Sequence, residues 1–429
     1  MEYLPILLMF VLFALNIPVA FGMGVAALVY FVFAADLPLG TFIQRLTSVT
    51  GSFPLLAVPF FILAGSIMNY AGITRRLMAL ADALVGHWMG GIAQVNILLS
   101  TLMGGLSASA LADAAMQAKM LGPEMIKRGI APGFAAAITA CAAVITPIIP
   151  PGIGLIIYGY LADQSVGRLF IGGVIPGLML CAALMITTYL ISRHRNYRPL
   201  RTKFVSFGEL GIAFRDALWA LSIPLFIVLG IRDGVFTPTE AGAICVLYAA
   251  FIGIFVHREL KWRDIPAIIT EATVGTSATM IIVAAAAAFG YYMTWEDVPT
   301  RIASSLVGVT NEPWLLLLVI NLMLVVVGML VETTSAIILL TPILVPAVMK
   351  LGIDPIHFGL ILVVNLTIGG VTPPVGTVMY VSCSILRVPL NRFTVEALPL
   401  ILAMFAVLFV ITYFPQAVLF LPDLWMGKP

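Results

Sequence analysis

The chain has 429 residues, of which 61% are hydrophobic and only 10% charged, against about 25% charged in an ordinary soluble domain. So few charges cannot clothe the surface of a soluble protein of this length, which excludes that class. A formal net charge of +2 says little about partners, and nothing in the sequence resembles a nucleic-acid patch, so no nucleic acid is expected.

Apolar runs of 17 to 30 residues recur from end to end, and about 20 such residues cross a bilayer as a helix. Strands of a membrane barrel would alternate apolar and polar residues, and these runs do not. The composition therefore describes an all-α polytopic membrane protein whose main solvent is the lipid bilayer. The opening Met1-Glu2-Tyr3 lacks a basic stretch, so the first run is expected to persist as a helix and not as a cleaved signal. Residues 4–34 form one long tilted helix or two short ones broken at Asn16-Ile17-Pro18. A span at 53–70 and a short amphipathic connector at 73–87 follow. Residues 91–126 are too long, and too rich in Gly and Ser at the centre, for a single span. Residues 131–163 are split by Pro147 and Pro150-Pro151-Gly152, and 169–192 reads as a plain span.

The one long polar segment, 193–214, comes next, followed by spans near 215–231 and 238–256. A second series starts near 265 with a span to 293 and a connector at 295–311. The segment 313–350 is broken near Glu332-Thr333-Thr334-Ser335, 355–386 is split at Pro373-Pro374, and the last span covers 393–414. The expected organisation is N-terminal scaffold helices at 1–52, a first repeat at 53–192, and a cytoplasmic loop with central scaffold helices at 193–264. A second repeat occupies 265–414 and a C-terminal tail 415–429.

The two series share one register. A shift of 223 residues, the separation of Pro150 from Pro373, also superposes Gly105 on Gly328, Pro123 on Pro346 and Lys127 on Lys350. Without a gap it places Gly129-Ile130 on Gly352-Ile353, Pro132 on Pro355 and Pro176 on Pro399. Matches of Gly and Pro weigh more than matches of Leu, because each sets a backbone event.

Orientation follows from basic loops. The run Arg193-His194-Arg195-Asn196-Tyr197-Arg198, with Arg201 and Lys203, marks a cytoplasmic segment, and His257-Arg258, Lys261 and Arg263 mark a second. The connector bearing Arg75, Arg76 and His87 then falls inside, and its counterpart with Glu296, Asp297 and Glu312 outside. The expectation is inverted-topology repeats, provided that 91–126 and 313–350 are re-entrant helical hairpins. Such pairs with broken helices point to a binding site at the bilayer midplane.

Two clusters related by the same shift could carry chemistry. The first joins Gly104-Gly105-Leu106-Ser107-Ala108-Ser109 to Thr146-Pro147-Ile148-Ile149-Pro150-Pro151-Gly152. The second joins Gly328-Met329-Leu330-Val331-Glu332-Thr333-Thr334-Ser335 to Gly369-Gly370-Val371-Thr372-Pro373-Pro374-Val375-Gly376. Proline leaves the carbonyls before it without helical partners, and these, with Ser and Thr hydroxyls, make an oxygen cage suited to Na+. The helix starting after each break points its positive end at the same place, which suits an anion. A proline kink satisfied by Ser and Thr explains one such cluster; two related clusters favour the site. Asp113 and Glu332 are the carboxylates near these clusters, and at about 2.5–3.5 kcal/mol on insertion scales each should face a cavity or a partner.

No phosphate-binding loop of the G-x-x-x-x-G-K-[ST] type is present, and His87, His194, His257 and His357 lack metal-ligand spacing, so no enzyme is expected. The four cysteines lie inside apolar runs as small buried residues.

On Asn16-Ile17-Pro18-Val19-Ala20, Pro59-Phe60-Phe61-Ile62-Leu63-Ala64-Gly65, Gly104–Asp113, Ile149-Pro150-Pro151-Gly152 and Gly370-Val371-Thr372-Pro373-Pro374-Val375-Gly376, the chain resembles the large membrane subunit of tripartite ATP-independent periplasmic (TRAP) transporters. The resemblance covers essentially the whole chain. It implies an elevator-type transporter in the bacterial inner membrane, importing a small carboxylate with co-transported Na+. It also implies two partners, a small membrane subunit of about four helices and a periplasmic substrate-binding protein; the small subunit is expected as a separate chain. Carried over by motif, one Na+ site falls at Gly104, Ser107, Thr146, Ile149 and Pro151, and a second at Gly328, Gly369, Thr372 and Val375. Gly104-Gly105 replaces a more usual Ser-Gly, a side-chain change at a position that acts through its backbone. Substrate contacts are expected at Ser109, Asp113, Gly152, Glu332, Thr333, Thr334 and Gly376. The rival readings are a standalone Na+/dicarboxylate symporter of the divalent-anion type without a binding protein, and an intramembrane enzyme or scaffold. The latter would need convergent acid, base or nucleophile groups, and only Asp113 and Glu332 are on offer, in separate hairpins.

Overall fold

The computed structural model describes residues 3–15, 17–33, 37–106, 109–301, 304 and 312–428, and these are helical wherever they are regular. Residues 4–34 resolve into two helices, α1 (Leu4–Ala14) and α2 (Val19–Phe33). Pro18, which has no N–H to extend α1, stands immediately before the start of α2. An amphipathic helix, α3 (Leu39–Ser48), leads through 3-10 turns to α4 (Ala57–Tyr70), and α5 (Ile73–Val85) is the expected connector. Residues 91–127 fold as α6 (Gly91–Met103), α7 (Ala110–Met120) and the short α8 (Gly122–Lys127). The first proline-split segment is α9 (Pro132–Ala143) and α10 (Ile153–Leu161), followed by α11 (Val166–His194).

After the polar loop come α12 (Phe207–Arg232), α13 (Pro238–Phe251) and α14 (Ile265–Trp295). The second hairpin is α15 (Pro313–Leu330) with α16 (Thr333–Lys350), and the second split segment is α17 (Pro355–Gly369) with α18 (Thr377–Leu386). The chain ends in α19 (Leu390–Tyr413) and α20 (Gln416–Met426).

Two of the three differences from the sequence expectation share a cause: hydropathy finds the dry part of a helix and misses its wet end. The polar segment expected to 214 gives way to α12 at Phe207, where Ser206 caps the helix by accepting from the Glu209 N–H at 3.2 Å. Helix α19 likewise starts at Leu390, before the expected 393. Residues 415–429, expected as a tail, contain α20, tied to the start of α11 by Arg168, which bonds Asp423 and the Gly427 carbonyl, each at 2.5 Å.

Among the described residues, eight helices are long and apolar enough to cross a membrane. Two of them, α15 and α16, nevertheless form a hairpin, as α6 and α7 do. Helix α19 measures their direction, being 24 residues and about 36 Å long at 1.5 Å per residue. Near its start, Glu396 pairs with Arg195 at 2.7 Å. Two residues on, Tyr197 holds both ends of the first hairpin: its carbonyl accepts from the Gly90 N–H at 3.1 Å and its hydroxyl from the Ala131 N–H at 3.2 Å. At the far end of α19, the Tyr413 hydroxyl donates to the Trp314 carbonyl at 3.2 Å, and His357 Nε2 lies 2.7 Å from the Ile411 carbonyl. The second hairpin therefore opens at the end of α19 opposite the first.

The broken segments lie deepest. Every residue of α9 from Gly133 to Ala143, and every residue of α17 from Ile356 to Gly369, is buried. Helices α1, α2, α12 and α14 present exposed large apolar side chains outward, as lipid-facing elements do. At the end of the molecule that carries the basic loops, Arg75 and Arg76 both grip Glu259, at 2.6 and 2.8 Å. Burial pushes that carboxyl up, but Arg76 and Arg75 more than offset it and hold it below its ordinary range.

Lys127 and Lys350, which share one register and are both exposed, test the opposed openings. A membrane-impermeant maleimide applied to one side should label only one of Lys127→Cys and Lys350→Cys, and from the other side only the other. The four native cysteines are buried and should contribute little background. Labelling of both from one side contradicts the arrangement.

Candidate functional site

The first cluster forms where the tip of the α6/α7 hairpin meets the gap between α9 and α10. Gly105 turns the chain at φ +81° against the Pro150 carbonyl. A Cβ on Gly104 would come within 2.6 Å of Ile149. Ser107 lies outside the described residues. Behind the tip, Asp113 is 1% exposed. It accepts hydrogen bonds from the Ser100 hydroxyl, the Thr146 hydroxyl and Gln117 Nε2, each at 2.8 Å. These donors come from both hairpin arms and from the break, so one carboxylate joins three segments. The carbonyls of Thr146, Ile149 and Pro151 have no hydrogen-bond partner among the described residues.

The second cluster uses backbone where the first uses side chains. Gly328 at the end of α15 lies against Gly369 at the end of α17, and a Cβ on Gly369 would stand 2.7 Å from the Gly328 backbone. The Thr372 hydroxyl donates to the Ile368 carbonyl at 2.8 Å, and the Thr372 N–H donates to the Gly369 carbonyl at 2.9 Å. The carbonyls of Thr372 and Val375 have no partner among the described residues. Glu332 caps α16, accepting from the Ser335 N–H at 3.0 Å. No group of three or more His, Cys, Asp or Glu able to hold a metal occurs among the described residues. A cation here would be held by carbonyl oxygens, the donor set suited to a hard ion.

Between the clusters lies a cavity of about 640 Å³. Five helices begin at its wall: α2 at Pro18 and Val19, α7 at Ser109 and Ala110, α10 at Ile153, α16 at Thr333 and α18 at Thr377. The wall facing the hairpins and broken helices comes from α4 and α14, through Ser66, Asn69, Glu271 and Thr279, with α2 packed against α14. No Lys or Arg lines it among the described residues; its charged side chains are Glu271 and Glu332. Each N-terminus is worth about 0.3–1 kcal/mol to an anion, rising to about 2 where partly buried. Several acting together match the several kcal/mol that dehydrating an ion costs.

Of the residues expected at substrate, Ser109, Glu332, Thr333 and Thr334 line this cavity. Gly152 and Gly376 instead stand at the N-caps of α10 and α18. Asp113 sits behind the wall with its hydrogen bonds taken. The residues expected around Na+ lie behind the wall too, Gly104, Thr146, Ile149 and Pro151 in one cluster and Gly328, Gly369, Thr372 and Val375 in the other. Sequence reasoning missed Ser100 and Gln117, although Gln117 stands one turn after Asp113. It also missed Glu271, a lone carboxylate seven positions into α14, and the part that Pro18 plays at the wall.

The family model for the DctM component of the tripartite ATP-independent periplasmic transporters matches residues 6–417. The sialic acid TRAP transporter large permease protein SiaM of Vibrio cholerae is 38% identical over 412 residues, 96% of each chain. The C4-dicarboxylate TRAP transporter large permease protein DctM of Pseudomonas aeruginosa is 38% identical over 89% of each. The isethionate TRAP transporter permease protein DctMQ of Oleidesulfovibrio alaskensis is 40% identical over 97% of this chain, which spans 66% of that longer protein. In fold alone, the crystal structure of the Alcanivorax borkumensis YdaH transporter is similar, with a TM-score of 0.62 at 16% identity, covering 93% of this chain and 91% of that one.

The glycine contact at the second cluster makes a stability test. Gly369→Ala should cost about 1–3 kcal/mol through overpacking, read as a lower melting temperature in detergent. Gly290→Ala, with nothing within 4 Å of its Cβ, should be neutral or gain up to about 1 kcal/mol. Equal melting of the two variants contradicts the backbone contact.

Proposed function

The chain belongs to the DctM component family of tripartite ATP-independent periplasmic transporters, and on that premise we propose that it imports a small organic acid coupled to the inward Na+ gradient. Its relatives are transporter permeases, not enzymes. The observation that carries the proposal is the cavity whose wall gathers five helix N-termini and, among the described residues, no basic side chain. An anion there is held by helix ends and hydroxyls, and Glu271 and Glu332 would repel it unless cations accompany it. The carbonyls of Thr146, Ile149 and Pro151, and those of Thr372 and Val375, without partners among the described residues, supply two cages for such cations just behind the wall. A potential of about 100 mV yields roughly 2.3 kcal/mol per charge moved. Two Na+ with one monoanion carry net positive charge inward and so draw on it.

The chain acts in a bacterial inner membrane with a small membrane subunit and a periplasmic binding protein that delivers the carboxylate. The opposed hairpins and the shared register of 223 residues support an inverted duplication, in which a unit built of both hairpins and both broken helices slides against α2, α4 and α14. A symporter working without a binding protein is the competing outcome of the test below.

Proteoliposomes containing the chain and its small subunit, with the binding protein outside, should take up one of a panel of labelled carboxylates: C4-dicarboxylates, sialic acid and diketogulonate. Uptake should stop when K+ replaces Na+ and when the binding protein is omitted. Undiminished uptake in K+ contradicts coupling, and undiminished uptake without the binding protein favours the standalone symporter. In the same assay Thr372→Ala should raise the Na+ concentration for half-maximal uptake several-fold; an unaltered Na+ response counts against the second cage.

A further inference from the structure

The two clusters occupy matching places but differ in charge. The register that superposes Gly105 on Gly328 puts Met323 where Ser100 stands, Ala336 where Asp113 stands, Leu340 where Gln117 stands and Gly369 where Thr146 stands. The whole side-chain network of the first cluster therefore has no counterpart in the second. All four of its members are buried: Ser100, Gln117 and Thr146 at 0% and Asp113 at 1% exposure. The chain keeps a carboxylate buried behind the first break, whereas the one carboxylate of the second cluster, Glu332, caps α16 at the cavity wall.

The carboxylate is not placed as a direct ligand. Three donors occupy it: Gln117 Nε2 within 2.8 Å of both oxygens, and the Ser100 and Thr146 hydroxyls on Oδ2. An ionised carboxylate accepts all three. Gln117 also donates to Ser100 Oγ at 2.6 Å, which orients the Ser100 hydroxyl toward Asp113. The Thr146 side chain is thus turned to Asp113, and its carbonyl, on the same residue, is left without a partner among the described residues.

We propose that Asp113 is the positioning residue of the first cation cage, acting through Thr146, and that its charge makes the two cages unequal. Asp113 holds Thr146 by the 2.8 Å hydrogen bond and, when ionised beside a bound cation, places one negative charge a side chain away from the cage oxygens. In a medium that screens less than water, that charge favours a cation by more than thermal energy. The first cage therefore fills at lower Na+ than the second. This rests on the Na+-coupling reading above, and the test separates the two.

Thermal unfolding of the full-length chain in detergent is followed while NaCl replaces choline chloride at constant ionic strength. Binding to the native state raises the melting temperature, and the Na+ concentration at half the rise is the readout. Asp113→Asn, similar in shape and uncharged, should raise that concentration about tenfold or more while still reaching a Na+-stabilised state. Thr146→Val, which cuts the link, should raise it similarly, and Thr146→Ser, which keeps the hydroxyl, should restore it toward wild type. The Thr146 pair decides the matter if Asp113→Asn fails to fold. A wild-type midpoint in Asp113→Asn, or the same midpoint in Thr146→Val and Thr146→Ser, overturns the proposal while leaving coupling intact. A wild-type chain stabilised no more by Na+ than by choline sinks the coupling reading, and this proposal with it.

Discussion

A helix broken inside a bilayer leaves carbonyl and N–H groups that lipid cannot satisfy, each costing several kcal/mol if nothing does. The rest of this structure answers that constraint. The two breaks, at Thr146–Gly152 and Gly370–Gly376, follow the most completely buried helices, α9 and α17. The first break is itself buried but for half-buried Ile149, whereas Pro374 in the second is exposed. A hairpin tip closes over each one, and the tips carry Gly because backbone meets backbone there: Gly105 against Pro150, Gly328 against Gly369. Only part of each break is satisfied within the protein. Helix N-termini line the cavity, while Thr146, Ile149, Pro151, Thr372 and Val375, whose carbonyls have no partner among the described residues, do not line it, a sorting of the two polarities.

That sorting gives the site its electrostatic logic. An anion in the cavity meets helix N-termini and the carboxylates of Glu271 and Glu332, which together are neither strongly attractive nor repulsive. On the proposed coupling, cations behind the wall would tip the balance, and they would bind best when the helix ends in front of them are neutralised. Each cargo would thus lower the cost of the other without touching it. Asp113 puts a buried carboxyl behind one break, and the register leaves Ala336 at the matching place behind the other.

Much of this was legible in the residues, because Pro and Gly report backbone geometry directly. The register of Pro150-Pro151 with Pro373-Pro374 located both breaks, and the basic residues around Arg193 placed one face. Segment 91–126 read as a hairpin because Gly104, Gly105 and Ser107 interrupt it. Two kinds of feature were out of reach. The Asp113 network needs Ser100, Gln117 and Thr146 brought together across a folded hairpin and a break, and no spacing along the chain records that contact. The far wall of the cavity comes from α4 and α14, which read as plain spans, so Asn69 and Glu271 carried no signal beyond being polar in an apolar run. The helical character of 207–214 and of 416–426 was hidden for a simpler reason: those stretches lie at the wet ends or beyond the last span, where hydropathy says nothing of helix.

The central claim is that the two breaks are a pair of cation cages serving one anion cavity. Equilibrium binding of radioactive sodium to the purified full-length chain, in excess K+, tests it most directly. The account predicts two saturable sites per chain that K+ does not displace. Sodium binding that K+ abolishes, or fewer than two sites at saturation, contradicts it.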